Sequence, residues 1–107
     1  MPDFMGMMKQ ARELQEKMKN LQEEILALEA TGTAGGGLVT VVVDGKGGVK
    51  SVKIDPSLAS PDEIEILEDL IVAAAREARS KADEQAESKT RELAAGLPLP
   101  PGLNLPF

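Results

Sequence analysis

The strongest constraint on this chain is an unbroken alternation of three- and four-residue steps between apolar residues in its first thirty positions. The residues of this stripe are Phe4, Met7, Ala11, Leu14, Met18, Leu21, Ile25 and Leu28. Such spacing is typical of a helix that pairs with another helix along one face. The pattern predicts a helix over residues 3–30, roughly 35–40 Å long. Because this exceeds what one small domain can cover, part of the helix is expected to project.

A β-rich segment over residues 31–56 follows. The glycine-rich run of residues 31–37 cannot continue a helix. Residues 38–43 and 49–54 are rich in β-branched side chains and predict two strands joined by a hairpin loop. Since a lone hairpin is marginally stable, a third strand is expected from residues 30–35 or from a partner chain. The first of the two strands is apolar on both faces, which predicts cover on both sides.

A second long helix is predicted over residues 61–95. Ser60, Pro61 and Glu63 have the spacing of a capping box with proline at the first helical position. Gly96 and Pro98 end the pattern. The two helices are expected to lie antiparallel as an arm whose tip holds the start of the first and the end of the second. At that tip, Met7 and its apolar neighbours are expected to pack against Leu93, with an adaptable exposed surface as the alternative.

The tail over residues 96–107 is predicted to be extended and Pro-rich. Its apolar residues are Leu97, Leu99, Leu103, Leu105 and Phe107. They are too apolar for a solvated linker, so they are expected to pack along the protein, on a dimer surface. The alternative is a disordered peptide that docks on a partner. Residues 1–107 together are predicted to form a single α+β domain.

Composition excludes several classes of function. The chain has no Cys and no His, which excludes zinc fingers, thiol nucleophiles and Ser-His-Asp triads. With two aromatic residues in all, a deep ligand pocket is not expected. The glycine runs lack the Lys-Ser/Thr and the following helix of a phosphate loop. We therefore expect no enzyme activity, cofactor or metal, and, without an apolar run of membrane-spanning length, a cytoplasmic protein without membrane contact.

The charge is unevenly distributed. Lys and Arg number 12 and Asp and Glu number 18, a net charge of −6. Residues 4–19 nevertheless carry four bases and two acids, whereas residues 20–30 carry three acids and no base. The projecting half of the first helix is therefore basic. An ordinary helix surface laced with salt bridges is the alternative interpretation. Without Tyr or Trp for stacking on single strands, backbone contact with a duplex is the favoured mode.

The order of several segments resembles the YbaB/EbfC family of bacterial nucleoid-associated proteins. The resemblance lies in the amphipathic opening of residues 7–18, the glycine-rich linker and strand of residues 31–39, and residues 52–58, 68–74 and 97–102. It implies a three-stranded sheet and a tweezer-like homodimer with projecting helical arms. It also implies DNA binding in the nucleoid. Members are often encoded beside a clamp-loader subunit and a recombination mediator, which implies recombination or replication proteins as further partners.

Together, the resemblance and the local charge predict the DNA contacts. The first choices are Lys9, Arg12, Lys17 and Lys19, joined at the tip by Lys89 and Arg91, with Arg79 and Lys81 as second choices farther down the arm. Contact through phosphates predicts weak sequence dependence. Two other classes remain as alternatives: a prefoldin-like coiled-coil chaperone and a protein-interaction adaptor of recombination factors.

Overall fold

The structure, a computed structural model, describes residues 3–96. The elements in chain order are helix α1 (Phe4–Ala27), strands β1 (Glu29–Ala34), β2 (Val39–Asp44) and β3 (Val49–Ile54), two short 3-10 turns (Pro56–Leu58 and Pro61–Glu63) and helix α2 (Ile64–Ala95). This confirms the predicted α+β order of long helix, three-stranded sheet and long helix. The tail, apart from Gly96, lies outside the described residues.

Helix α1 ends at Ala27, three residues earlier than predicted. Leu28 is already extended, and Glu29 and Ala30 pair with Asp44 and Val43 of β2. Glu29 and Ala30 therefore belong to strand β1. Leu28 has left the helix, although its position continues the helical spacing of apolar residues. At the other end, the Asp3 side chain accepts a hydrogen bond from the Gly6 backbone N–H at 3.0 Å and caps the helix.

The sheet is antiparallel with the strand order β1-β2-β3. The turn between β2 and β3 is built on Asp44, whose carboxylate accepts from the backbone N–H groups of Lys46 at 2.8 Å and Gly48 at 2.9 Å. These bonds, the one from Gly48 foremost, lower the pKa of the Asp44 carboxyl. Gly47, with a φ of 87°, supplies the left-handed conformation that the turn needs.

Helix α2 lies across one face of the sheet, over β1 and β2. Its Ala74, Ala78 and Ala82 are buried against a core that includes Ala30, Val39, Val41, Val43 and Leu58. Small side chains on both sides bring the helix very close to the sheet. The closest approach is at Gly32 of β1, where an added Cβ would run into the α2 backbone. The apolar pattern predicted cover on the opposite face of β2 as well, but that face is only half-buried, and no helix of residues 3–96 lies across it.

The predicted capping box does not form. Pro61–Glu63 adopts a 3-10 turn, and α2 begins only at Ile64. Ser60 precedes the 3-10 turn but makes no side-chain capping bond. The Glu63 backbone N–H, which the serine hydroxyl would accept from in a capping box, donates instead to the Ser60 carbonyl at 3.0 Å, so the matching spacing was not sufficient.

Candidate nucleic-acid interface

The arm is formed by α1 and the second half of α2, which run antiparallel. Leu21 and Ile25 of α1 are buried, and the ammonium of Lys89 lies 3.7 Å from a carboxylate oxygen of Glu24. This pair shows which residues of the two antiparallel helices lie level with each other. At 1.5 Å per residue in each direction, Ala95 at the end of α2 is level with about Met18. Residues 4–17 of α1 therefore extend beyond α2, in keeping with a molecule 75 Å long.

The four predicted bases of α1 lie on this arm and are all exposed. Arg12 and Lys19 are seven residues apart and share one face of the helix, directed away from the apolar stripe. Lys9 lies next to that face, whereas Lys17 lies on the opposite side of the helix. Glu13 and Glu16 stand among them, and with Lys9 and Arg12 they line a shallow open groove. The cations can reach a long, negatively charged partner without moving any core residue.

The structure does not bring the bases of α2 to the tip. Lys89 pairs with Glu24, fifteen residues along α1 from Lys9, a separation of about 22 Å. Arg91 is exposed at a similar level. The expected meeting at the tip assumed helices that end together, whereas α1 runs past the end of α2. Lys89 and Arg91 therefore lie in the middle of the arm.

Arg79 and Lys81 lie beside the sheet. The Lys81 ammonium is 2.9 Å from the Glu77 carboxylate and donates a hydrogen bond to the Thr31 carbonyl at 3.2 Å. The hydrogen bond from Lys81 and its positive charge lower the pKa of the Glu77 carboxyl. Arg79 lies against Gly47 in the β2–β3 turn. Lys81 already has partners within the fold, which makes it the weaker of the two predicted candidates for DNA contact.

Sequence reasoning placed apolar residues of the tail on a dimer surface but named none in the sheet, where the structure shows an exposed apolar face. The Cα pairs of the β2–β3 ladder place Val49, Val52 and Ile54 on the same face as the buried valines of β2. Helix α2 does not reach across to β3, so these three side chains are 62%, 45% and 40% exposed. Val72 is also exposed, on the flank of α2 that carries Arg79 toward the β2–β3 turn. We call Val49, Val52, Ile54 and Val72 the apolar shelf.

Other kinds of site find no support in the part of the chain that the structure describes. Residues 3–96 contain no group of three or more acidic side chains placed to hold a metal ion. Neither described helix combines the length and apolar character needed to cross a membrane.

The fold and the arm define an α+β protein that presents exposed cationic side chains on a long projecting helix. The sequence model of the YbaB/EbfC DNA-binding family matches residues 1–97. The chain therefore belongs to the YbaB/EbfC DNA-binding family, which confirms the resemblance seen in its sequence.

Similar proteins agree with this assignment. A nucleoid-associated protein of Rhizobium meliloti (strain 1021) is 61% identical over 107 residues, covering all of both chains. Nucleoid-associated proteins of Agrobacterium fabrum and Brucella ovis are 59% and 58% identical over the same full length. The crystal structure of an uncharacterized protein from Helicobacter pylori matches with a TM-score of 0.73 at 20% identity, covering 88% of this chain and 99% of that one. That similarity supports the fold.

Proposed function

We propose that this chain binds duplex DNA as a homodimer and acts in the bacterial nucleoid. The observation that carries the proposal is the arm of a DNA-binding family member, on which Lys9, Arg12, Lys17 and Lys19 are all exposed. The names of the full-length relatives support action in the nucleoid. Recombination or replication proteins are proposed as further partners.

Contact with DNA is assigned to phosphates. Lysine and arginine on an exposed helix neutralise phosphate charge, which gives affinity without reading the base sequence. Arg12 and Lys19 are the principal contacts because they share one face of α1, Arg12 on the projecting part and Lys19 directly behind it. Lys9 and Lys17 support them, while Lys89, Arg91, Arg79 and Lys81 are secondary because they lie farther back. The net charge of −6 favours an orientation in which the acidic remainder faces away from DNA.

The apolar shelf is proposed as the dimer surface. Large apolar side chains grouped on one exposed face are typical of an interaction site. A second copy related by a two-fold axis would bury the shelf against itself, the commonest form of closed association. It would also leave both arms free to project, which fits the tweezer-like shape that the family resemblance implies.

The proposed DNA binding is tested by titrating the full chain into a labelled random-sequence duplex at several salt concentrations. Affinity should fall linearly on a logarithmic plot, with a slope of about −0.9 for each phosphate contacted. Several unrelated duplexes should give similar affinities. No binding at low salt would overturn the proposal. Suppression of aggregation of an unfolded client without any DNA binding would instead favour the prefoldin-like chaperone alternative.

The proposed dimer surface is tested by replacing Val52 and Ile54 together with Asp. Two carboxylates buried without partners would be strongly unfavourable in the interface. Sedimentation should give twice the 11.3 kDa chain mass for the unaltered protein and the single-chain mass for the variant. Ser51→Asp is the matched control, because Ser51 pairs with Val42 and lies on the opposite face of β3. A monomeric unaltered chain, or a monomer produced by the control alone, would contradict the assignment.

A further inference from the structure

The apolar stripe of α1 continues beyond its last partner. Leu21 and Ile25 are buried beside α2, but Phe4 and Met7 in the same stripe are 70% and 59% exposed, and Ala11 is exposed as well. These three, with the half-buried Leu14, form what we call the free stripe. No element of residues 3–96 covers it, so the expected packing of the tip against Leu93 is absent from this part of the chain. Leu93 lies near the end of α2, and residues 4–17 of α1 lie beyond that end.

The chain itself supplies a segment at the right place. Helix α2 ends at Ala95, level with about Met18 and heading toward the tip, so the end of α2 lies beside the start of the free stripe. Residues 97–107 contain four leucines and a phenylalanine. We propose that residues 97–107 bind the free stripe of α1 within the same chain and complete the apolar face of the arm.

Length is consistent with this pairing. The eleven residues 97–107 in extended, proline-rich form span about 34 Å at 3.1 Å per residue. Residues 4–17 of α1 span about 20 Å. Starting from the end of α2, Leu99 comes level with about Ala11 and Leu103 with about Phe4. The segment therefore reaches the whole free stripe with a few residues to spare.

The chemistry is also complementary. Proline residues cannot continue α2, and a segment without a continuous set of backbone donors packs through its side chains. Leucines at alternate positions would sit on the stripe, whereas the exposed Arg12 and Lys19 face the other way and stay free. Covering the stripe also removes an exposed apolar surface from the tip of an arm that otherwise presents charge.

Methionine oxidation tests the proposal, because the helix carries its own reference. Met7 belongs to the free stripe, while Met5 shares the outward face with Arg12 and is 79% exposed. In the full chain treated with dilute peroxide, Met7 should oxidise several times more slowly than Met5, measured by fragmentation of the peptide that holds both. Deleting residues 97–107 should raise the rate at Met7 to that at Met5 and leave Met5 unchanged. Equal rates at the two residues in the full chain would overturn the proposal.

A disulfide cross-link tests the proposal without deleting residues 97–107, so a disturbed fold cannot account for the result. It also shows whether those residues bind α1 of the same chain or of a second copy. Because the chain has no Cys, the pair Ala11→Cys with Leu99→Cys can be oxidised without competing thiols. We expect an intramolecular disulfide that forms at the same rate at all protein concentrations. The control pair Glu13→Cys with Leu99→Cys, on the outward face, should form it far more slowly. A cross-link between two chains, or equal rates for the two pairs, would refute binding within one chain.

Discussion

For each arm engaged, replacing Arg12 and Lys19 together by Ala should weaken DNA binding on the order of 50-fold near 0.1 M salt and flatten the salt slope by about two units. Both side chains are exposed on one face of α1, Arg12 on its projecting part and Lys19 directly behind it. Each is assigned one phosphate, so each loss removes the release of roughly one counterion. The decrease should be the same on unrelated duplexes, because phosphate contacts carry no base information. Fluorescence anisotropy at several salt concentrations measures both quantities.

The matched control is the double substitution of Lys46 and Lys53 by Ala. It changes the net charge by the same amount, but both lysines are exposed on the β2–β3 hairpin, away from the projecting residues 4–17 of α1. If general attraction to a polyanion were the whole effect, the two double variants would lose affinity equally. Unchanged affinity and slope in the arm variant would remove α1 as the contact surface. The secondary candidates on α2, or the adaptor alternative, would then take its place.

The order of elements was predictable because each one has a strong local signal. The three–four spacing of α1, the β-branched runs of β2 and β3 and the glycines of the turns all depend on neighbouring residues. The third strand was predicted from a stability argument, and β1 forms at Glu29–Ala34. Leu28, directly before β1, still satisfied the helical spacing, so the sequence placed the end of α1 too late. Competition between a helix and a sheet partner is settled by contacts distant in sequence.

The surfaces were less predictable, because they depend on how elements are offset. Val49, Val52 and Ile54 do not alternate regularly in sequence, since the ladder shifts register between Val42 and Val43 and leaves Lys50 without a partner in β2. That irregularity hid the apolar side of β3. The stagger of the two helices, fixed by contacts such as Lys89 with Glu24, likewise decides which bases and which apolar residues occupy the tip. Neither the register shift of the strands nor the stagger of the helices can be predicted from the residue spacing within one segment.

Gly32→Ala should be the most destabilising single substitution in the sheet. The added Cβ would overlap the Ala74 carbonyl oxygen and lie 2.5 Å from the Ala78 nitrogen, both of them backbone atoms of α2. Backbone cannot rotate aside as a side chain can, so the helix would have to move off the valine core. Overpacking ordinarily costs about 1–3 kcal/mol, and a clash with backbone belongs at or above the upper end. Thermal unfolding at fixed protein concentration should show a midpoint lower by about 10–20 °C.

Substitutions at two other glycines distinguish the effect of this clash from the general effect of replacing glycine with alanine. At Gly36, φ is 68° and the space for a Cβ is open, so Ala should cost only the left-handed strain of about 1–2 kcal/mol. At Gly96, φ is −85° and the nearest atom to a new Cβ is 3.6 Å away, so Ala should leave the midpoint almost unchanged. The expected order of unfolding midpoints is Gly96→Ala, then Gly36→Ala, then Gly32→Ala. A Gly32→Ala midpoint equal to that of Gly36→Ala would show that α2 can lift from β1 at little cost. The close packing of the alanine face on the sheet would then contribute little to the stability of the fold.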